Sequence, residues 1–206
     1  MKTLVCLLIG YFIGSVSPAA LLSNAKGTDL RHQGTGNLGA TNTILVMGKK
    51  LGLLVMFLDI FKSYLAAKIA QKIFANYILA GLLAALGAML GHVYSVFLHF
   101  HGGKGVAAFG GMMFFYKPEL FWLVVVVAIA LMLITNLGVA GPISAALLFP
   151  ILVYVDSGSI PMTCVAAAAG FIILHCHKEN IMKIRNGQEI LVRSFLDRVV
   201  LSKIKS

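Results

Sequence analysis

Carboxylates are scarce in this chain: Asp and Glu number 7 against 17 Lys and Arg, and charged residues make up 12% of the 206 positions. No carboxylate pair stands out and no Ser-His-Asp order is visible, so a covalent acyl-enzyme of the triad type has little support. Cysteine is also sparse. Cys6, Cys164 and Cys176 are well separated, and the first two lie inside apolar runs. That spacing argues against both a disulfide framework and a zinc site and leaves them as packing residues. Separate polar domains are missing too, because the polar stretches are short, and the basic residues are not clustered with interleaved aromatics as nucleic-acid binding requires. What remains is apolar. Hydrophobic residues make up 59% of the chain and the mean hydropathy is +0.93, values that place it among integral membrane proteins. With a formal net charge of +10, anionic lipid and anionic substrates are the fitting partners.

A helix needs about 20 residues to cross a hydrocarbon core. Apolar segments beginning near Leu4, Leu51, Tyr77, Val106, Leu120, Pro142 and Ile160 predict seven spans in one polytopic domain, 1–206. The first run resembles a signal peptide but passes through Gly14, Ser15 and Pro18 into a basic loop without a convincing cleavage site, so it is read as a retained helix. Placing the N-terminus outside puts 12 of the 17 Lys and Arg on the inner side, including Lys26, Arg31, Lys49, Lys50, Lys104, Arg198, Lys203 and Lys205. The bias predicts N-out and C-in. The segments Gly105–Pro118 and Pro142–Val155 are short for spans, which predicts short or re-entrant pieces lining a cytoplasmic-facing pocket.

Three polar, glycine-rich stretches fall at inner ends of these segments: GTGNLGATN from Gly34, GHVYSVFLHFHGGKGV from Gly91, and HKENIMKIRNGQE from His177. Glycines let backbone amides approach an oxyanion, and a helix N-terminus adds partial positive charge. The first stretch offers Gly34, Gly36 and Gly39 with Thr35, Asn37, Ala40, Thr41 and Asn42, and Arg31 just before it; the second offers Gly102, Gly103 and Gly105 around Lys104. Neither has the lysine followed by Ser or Thr that an ATP loop needs. For GGKG, close helix packing remains an equal alternative to an anion cradle. In the third stretch His177 and Asn180 share a helical face, with Glu189 beyond Gly187. His177 either handles a substrate hydroxyl or anchors the helix end. His175, Cys176 and His177 are consecutive and diverge around a helix, so no metal site is expected. Asp59 and Lys62 read as a mutual ion pair inside a span, and His92 either orients the glycine turn or is a satisfied structural histidine.

Together with GSVSPA at Gly14 and DIFK at Asp59, these motifs resemble, over nearly the whole chain, the bacterial acyl-phosphate:glycerol-3-phosphate acyltransferase family. The resemblance implies a multi-pass cell-membrane enzyme that moves an acyl chain from acyl phosphate to the first hydroxyl of glycerol 3-phosphate. The products are 1-acylglycerol 3-phosphate and phosphate, the first step of phospholipid synthesis. It implies no metal and no cofactor, and the enzyme supplying acyl phosphate is a candidate partner. On this basis His177, Asn180 and Lys104 carry the catalytic roles. Arg31, Thr35, Gly36, Asn37, Gly39, Ala40, Thr41, Asn42, His92, Gly102, Gly103 and Gly105 are expected to bind substrate. The chain departs from the usual family residues at Thr35 for serine, Leu45 for arginine, Ser95 for proline, His101 for lysine and Val139 for serine. A lost phosphate-contacting arginine removes a bond of about 1.5–3 kcal/mol. A weakened paralogue is therefore one alternative, and a transporter of phosphorylated metabolites another. Against transport stand the gathering of motifs at one face and the lack of an inverted repeat.

Overall fold

The computed structural model describes residues 1–187, 189 and 191–201; Gln188 of the third motif, and Lys203 and Lys205 of the charge count, lie outside the described residues. Among the described residues regular structure is helical, apart from an isolated antiparallel bridge between Leu137 and Leu191. This suits an apolar chain in lipid, where each segment must satisfy its own backbone. The chain divides into two compact units, Met1–Lys117 and Pro118–Ser206.

The first unit contains α1 (Lys2–Ser15), α2 (Pro18–Ala25), α3 (Ala40–Met47), α4 (Lys49–Ile73), α5 (Ala80–Val93) and α6 (Val106–Tyr116), with a 3₁₀ turn at Val96–Leu98. At its centre is α5, AGLLAALGAMLGHV, buried along nearly its whole length and packed on α1, α4 and α6. Small residues make that possible. A methyl on Gly10 or Gly14 of α1 would fall on the carbonyls of Ala84 or Ala88, and one on Gly87 or Gly91 of α5 on those of Leu7 or Tyr11. The two helices therefore meet backbone to backbone, as paired small-residue faces do in membranes.

Between α1 and α2 the chain breaks. Val16 is extended, and Pro18 opens α2 with Ser17 as its cap, the Ser17 hydroxyl accepting from Ala20 N at 3.2 Å. The break removes helical donors from the last carbonyls of α1, and side chains from elsewhere in the unit replace them. Ser95 Oγ donates to Ser15 O at 2.6 Å, and Lys62 Nζ to Val16 O at 2.8 Å.

The second unit contains α7 (Pro118–Thr135), α8 (Ala140–Ser157), α9 (Ile160–Cys176), α10 (Lys178–Arg185) and α11 (Val192–Leu201). α8 packs on α7 and on α9, and α10 leaves α9 with a bend of 46° at His177.

Four stretches are long and apolar enough to cross a membrane, Lys2–Ala25, Ala80–Leu98, Pro118–Thr135 and Ala140–Ser157, with the bent pair α9 and α10 as a fifth. The protein is a multi-pass helical membrane protein. α4 is longer still at 25 residues, but its lysines and Asp59 depress its hydropathy. α6 is as short as its sequence predicts, 11 residues. The expectation of a short segment from Pro142 to Val155 is corrected: α8 has 18 residues. Proline is tolerated in the first turn, where its missing N–H has no intrahelical partner, so the helix starts ahead of Pro142.

Candidate active site

In the first unit, the polar loop between α2 and α3 is held by two apolar pegs. Leu30 and Leu38 are buried with Ala19 and Val55, against Val46, Met47 and Leu98. Ser23, at the end of α2, donates to Thr28 O and accepts from Leu30 N at 3.2 Å, setting the loop's departure. Between the pegs the backbone turns through positive φ at Gly34 (61°) and Gly36 (74°), where side chains are strained.

Asn42 ties this turn together. It is fully buried: its Oδ1 accepts from Thr35 N at 2.7 Å, and its Nδ2 donates to Leu30 O at 2.9 Å and Gln33 O at 3.1 Å. Both amide hydrogens are engaged. Its side chain serves the loop from within. Thr43 is likewise turned inward, donating to Gly39 O at 3.0 Å. Thr35 and Thr41 are exposed, Asn37, Gly39 and Ala40 are part-exposed, and Gly39 leads in extended conformation into the first turn of α3. First-turn amides have no intrahelical acceptor, so this end of α3 presents donors.

Arg31 is exposed and gripped by Asp29. Its Nε lies 3.1 Å from Oδ1 and its Nη2 3.2 Å from Oδ2, while its backbone N donates to Oδ1 at 3.0 Å. The hydrogen bonds from Arg31 hold the Asp29 carboxyl below the usual carboxylate range, and Asp29 raises the guanidinium in return. Asp29 was not among the expected site residues; its spacing of two from Arg31 was the available signal.

The second motif folds back over the end of α5. Phe100 N donates to Ser95 O at 2.8 Å and His101 N to Leu98 O at 3.0 Å, with His99 and Phe100 both at positive φ. Gly102 N then donates to Val93 O at 2.9 Å and Gly103 N to His92 O at 3.1 Å. These two amides cap α5. Gly103 is closely surrounded: a methyl there would fall on His92 Nε2 and lie 2.8 Å from Leu38 O. That second neighbour also brings the first and second motifs together. Gly105, at φ 83°, turns the chain into α6, and Lys104 is part-exposed between them.

His92 lies in the last turn of α5. It is 6% exposed, with Nδ1 3.2 Å from Asp59 Oδ1, and the same oxygen lies 2.7 Å from Lys62 Nζ. The expected ion pair of Asp59 and Lys62 is present, with His92 as a third member.

The third motif lies in the second unit. His177 ends α9 and is 5% exposed; its Nδ1 donates to Ile173 O at 2.8 Å. A carbonyl oxygen can only accept, so Nδ1 carries a proton. One turn on, Asn180 Nδ2 donates to Glu189 Oε1 at 2.8 Å. The segment after Glu189 is fastened to the α7–α8 loop by Asn136, whose backbone O accepts from Val192 N at 3.0 Å and Oδ1 from Arg193 N at 2.9 Å. Asn136 sits at φ 58°, a region Asn tolerates, and that preference was its only sequence signal. Among the described residues no group of three His, Cys, Asp or Glu is arranged to hold a metal.

A family model described as glycerol-3-phosphate acyltransferase matches residues 4–187. A glycerol-3-phosphate acyltransferase of Aquifex aeolicus is 34% identical over 191 residues, covering 92% of this chain and 98% of that protein. Glycerol-3-phosphate acyltransferase 1 of Deinococcus radiodurans is 37% identical over 189 residues, covering 92% and 95%. The crystal structure of PlsY (YgiH), an integral membrane glycerol 3-phosphate acyltransferase, in its glycerol 3-phosphate form has a TM-score of 0.86 at 32% identity, covering 93% of this chain and 96% of that one. Its lysophosphatidic acid form has a TM-score of 0.85 at 31% identity, covering 95% and 99%. With motifs, fold and relatives in agreement along nearly its whole length, this chain belongs to the glycerol-3-phosphate acyltransferase family.

Proposed function

We propose that the whole chain acts as one polytopic acyltransferase, transferring an acyl group from acyl phosphate to the sn-1 hydroxyl of glycerol 3-phosphate. The hydroxyl oxygen bonds to the acyl carbon, the carbon–oxygen bond to phosphate breaks, and inorganic phosphate leaves with that electron pair. The hydroxyl proton passes to His177 Nε2 or to the departing phosphate. The leaving group is already good, so catalysis rests on positioning two anions and an oxyanion rather than on strong acid catalysis. The single observation that carries this reading is the meeting of two glycine turns at Leu38 O and Gly103, one entering α3 and the other holding Lys104 ahead of α6.

Within this scheme, Arg31, Thr35, Gly36, Asn37, Gly39, Ala40 and Thr41, with the first-turn amides of α3, hold acyl phosphate. Lys104 and the N-terminus of α6 beyond Gly105 hold the second phosphate, since the Gly102 and Gly103 amides are engaged with α5. His177 and Asn180 order the attacking hydroxyl, supported by the Nδ1 donation to Ile173 O and the Glu189 contact. The apolar segments argue for seven spans, and the lysine and arginine bias argues for the N-terminus outside, the C-terminus inside and the chemistry on the cytoplasmic side. Purified protein in detergent, given acyl phosphate and glycerol 3-phosphate, is expected to release phosphate and form lysophosphatidic acid. His177→Ala should lower kcat by about 10²- to 10⁴-fold. Folded protein that turns over acyl-CoA but not acyl phosphate would overturn the donor, and counterflow of glycerol 3-phosphate in liposomes without acyl transfer would overturn the reaction.

A further inference from the structure

Asp59, Lys62 and His92 form a charged group inside the first unit, at 1%, 8% and 6% exposure, and none of the three has a direct role in the acyl transfer above. A buried ion pair is weak evidence for stability, because desolvation offsets most of the attraction. An ion pair also needs only two members. Here one carboxylate oxygen takes Lys62 Nζ at 2.7 Å and His92 Nδ1 at 3.2 Å, and each partner reaches a different feature of the unit.

Lys62 also donates to Val16 O at 2.8 Å, at the break between α1 and α2. His92 stands under the glycine turn on two counts. Its carbonyl accepts from Gly103 N at 3.1 Å, and its Nε2 edge fills the space where a Gly103 side chain would start. The imidazole is thus held between the Asp59 carboxylate on one side and the backbone preceding Lys104 on the other. Ser95 gives the turn a second tie to the same break, donating to Ser15 O at 2.6 Å.

We infer that Asp59, Lys62 and His92 are positioning residues that register the Gly102–Gly105 turn, and with it Lys104, against the α1–α2 break. They act without touching substrate. The inference rests on the proposed role of Lys104 for its effect on turnover, whereas its effect on the turn is independent of any reaction. Rotation of the imidazole away from Asp59 would release the Gly103 edge, and displacements of about 1 Å in a catalytic group can cost a hundredfold in rate.

His92→Leu tests this, because it cuts the link to the turn while leaving the Asp59–Lys62 pair and the Lys62 bond to Val16 O in place. The full-length variant in detergent is expected to show faster amide exchange at Gly102 and Gly103, with α1, α4 and α5 still protected. It is also expected to lose about 10- to 100-fold in kcat with glycerol 3-phosphate and acyl phosphate. His92→Gln, which keeps a donor for Asp59, should recover part of both. Unchanged exchange at Gly102 and Gly103, or turnover within about twofold of the parent, would overturn the inference. Loss of protection spread evenly over the unit would do the same, since it would mean that the group serves packing alone. If His92→Leu does not fold, Asp59→Asn decides by the same readouts. Should the parent show no acyl transfer, the proposed reaction fails, and exchange at Gly102 and Gly103 still decides the positioning role.

Discussion

Replacing Asn42 by Ala separates a residue that builds the loop between α2 and α3 from one that touches substrate. The substitution removes three hydrogen bonds, to Thr35 N, Leu30 O and Gln33 O. Each is worth about 1 kcal/mol net, which makes about 3 kcal/mol together. Thr35 and Gln33 lie in exposed positions and regain water when the amide is gone, which lowers the expected loss to about 2 kcal/mol. Taken as lost order in the loop, that corresponds to about a 30-fold fall in kcat/KM. Taken as lost stability, it is about 4–8 °C in Tm. Asn42→Asp should be at least as damaging, because it turns a donor facing two carbonyls into an acceptor. The assay is amide exchange across residues 30–36 and thermal unfolding, both without substrate, followed by steady-state kinetics. If Asn42→Ala leaves exchange and unfolding of the substrate-free protein unchanged while raising KM, the side chain contacts substrate and the reasoning is wrong.

Gly103→Ala should reduce acyl transfer at least tenfold, since its methyl would meet His92 and Leu38 O, whereas Gly138→Ala, with nothing within 4 Å, should stay within about 0.5 kcal/mol of the parent in unfolding measurements. Asn136→Ala loses the bond to Arg193 N and places a strained residue at φ 58°, costing about 1–2 kcal/mol; Asn136→Gly, which accepts that φ, should lose less, with protease cleavage near residue 189 as the readout. Asp29 is held below its ordinary value by Arg31, so any stability it contributes is present above pH about 3.9 and is lost as pH falls through the lower folded value. The pair is exposed, so Asp29→Asn should barely move the urea midpoint at pH 8.

Much of the fold was legible because it depends on local chemistry. The starts of α1, α4, α6, α7 and α9 fall within a few residues of the apolar segments, and the short α6 follows from Pro118 closing a run that opens at Gly105. α8 was less legible, since a proline at its third position looks like a boundary until first-turn hydrogen bonding is considered. The site was legible as motifs but not as atoms. Asn42, His92, Gly102 and Gly103 have partners inside the protein that their spacing in the sequence did not announce.

The sequence by itself determined the apolar helices, the break before Pro18, the three polar stretches at the ends of apolar segments and the excess of cations, because periodicity, φ preference and charge are properties of neighbouring residues. Only the tertiary structure decided which polar atoms face outward. Asn42 finds its partners 7 to 12 positions away and His92 finds Asp59 33 positions away. A buried donor or acceptor must be satisfied by whatever packing brings beside it, and in this protein packing engages the Gly102 and Gly103 amides of the second motif and Asn42 of the first before any substrate arrives.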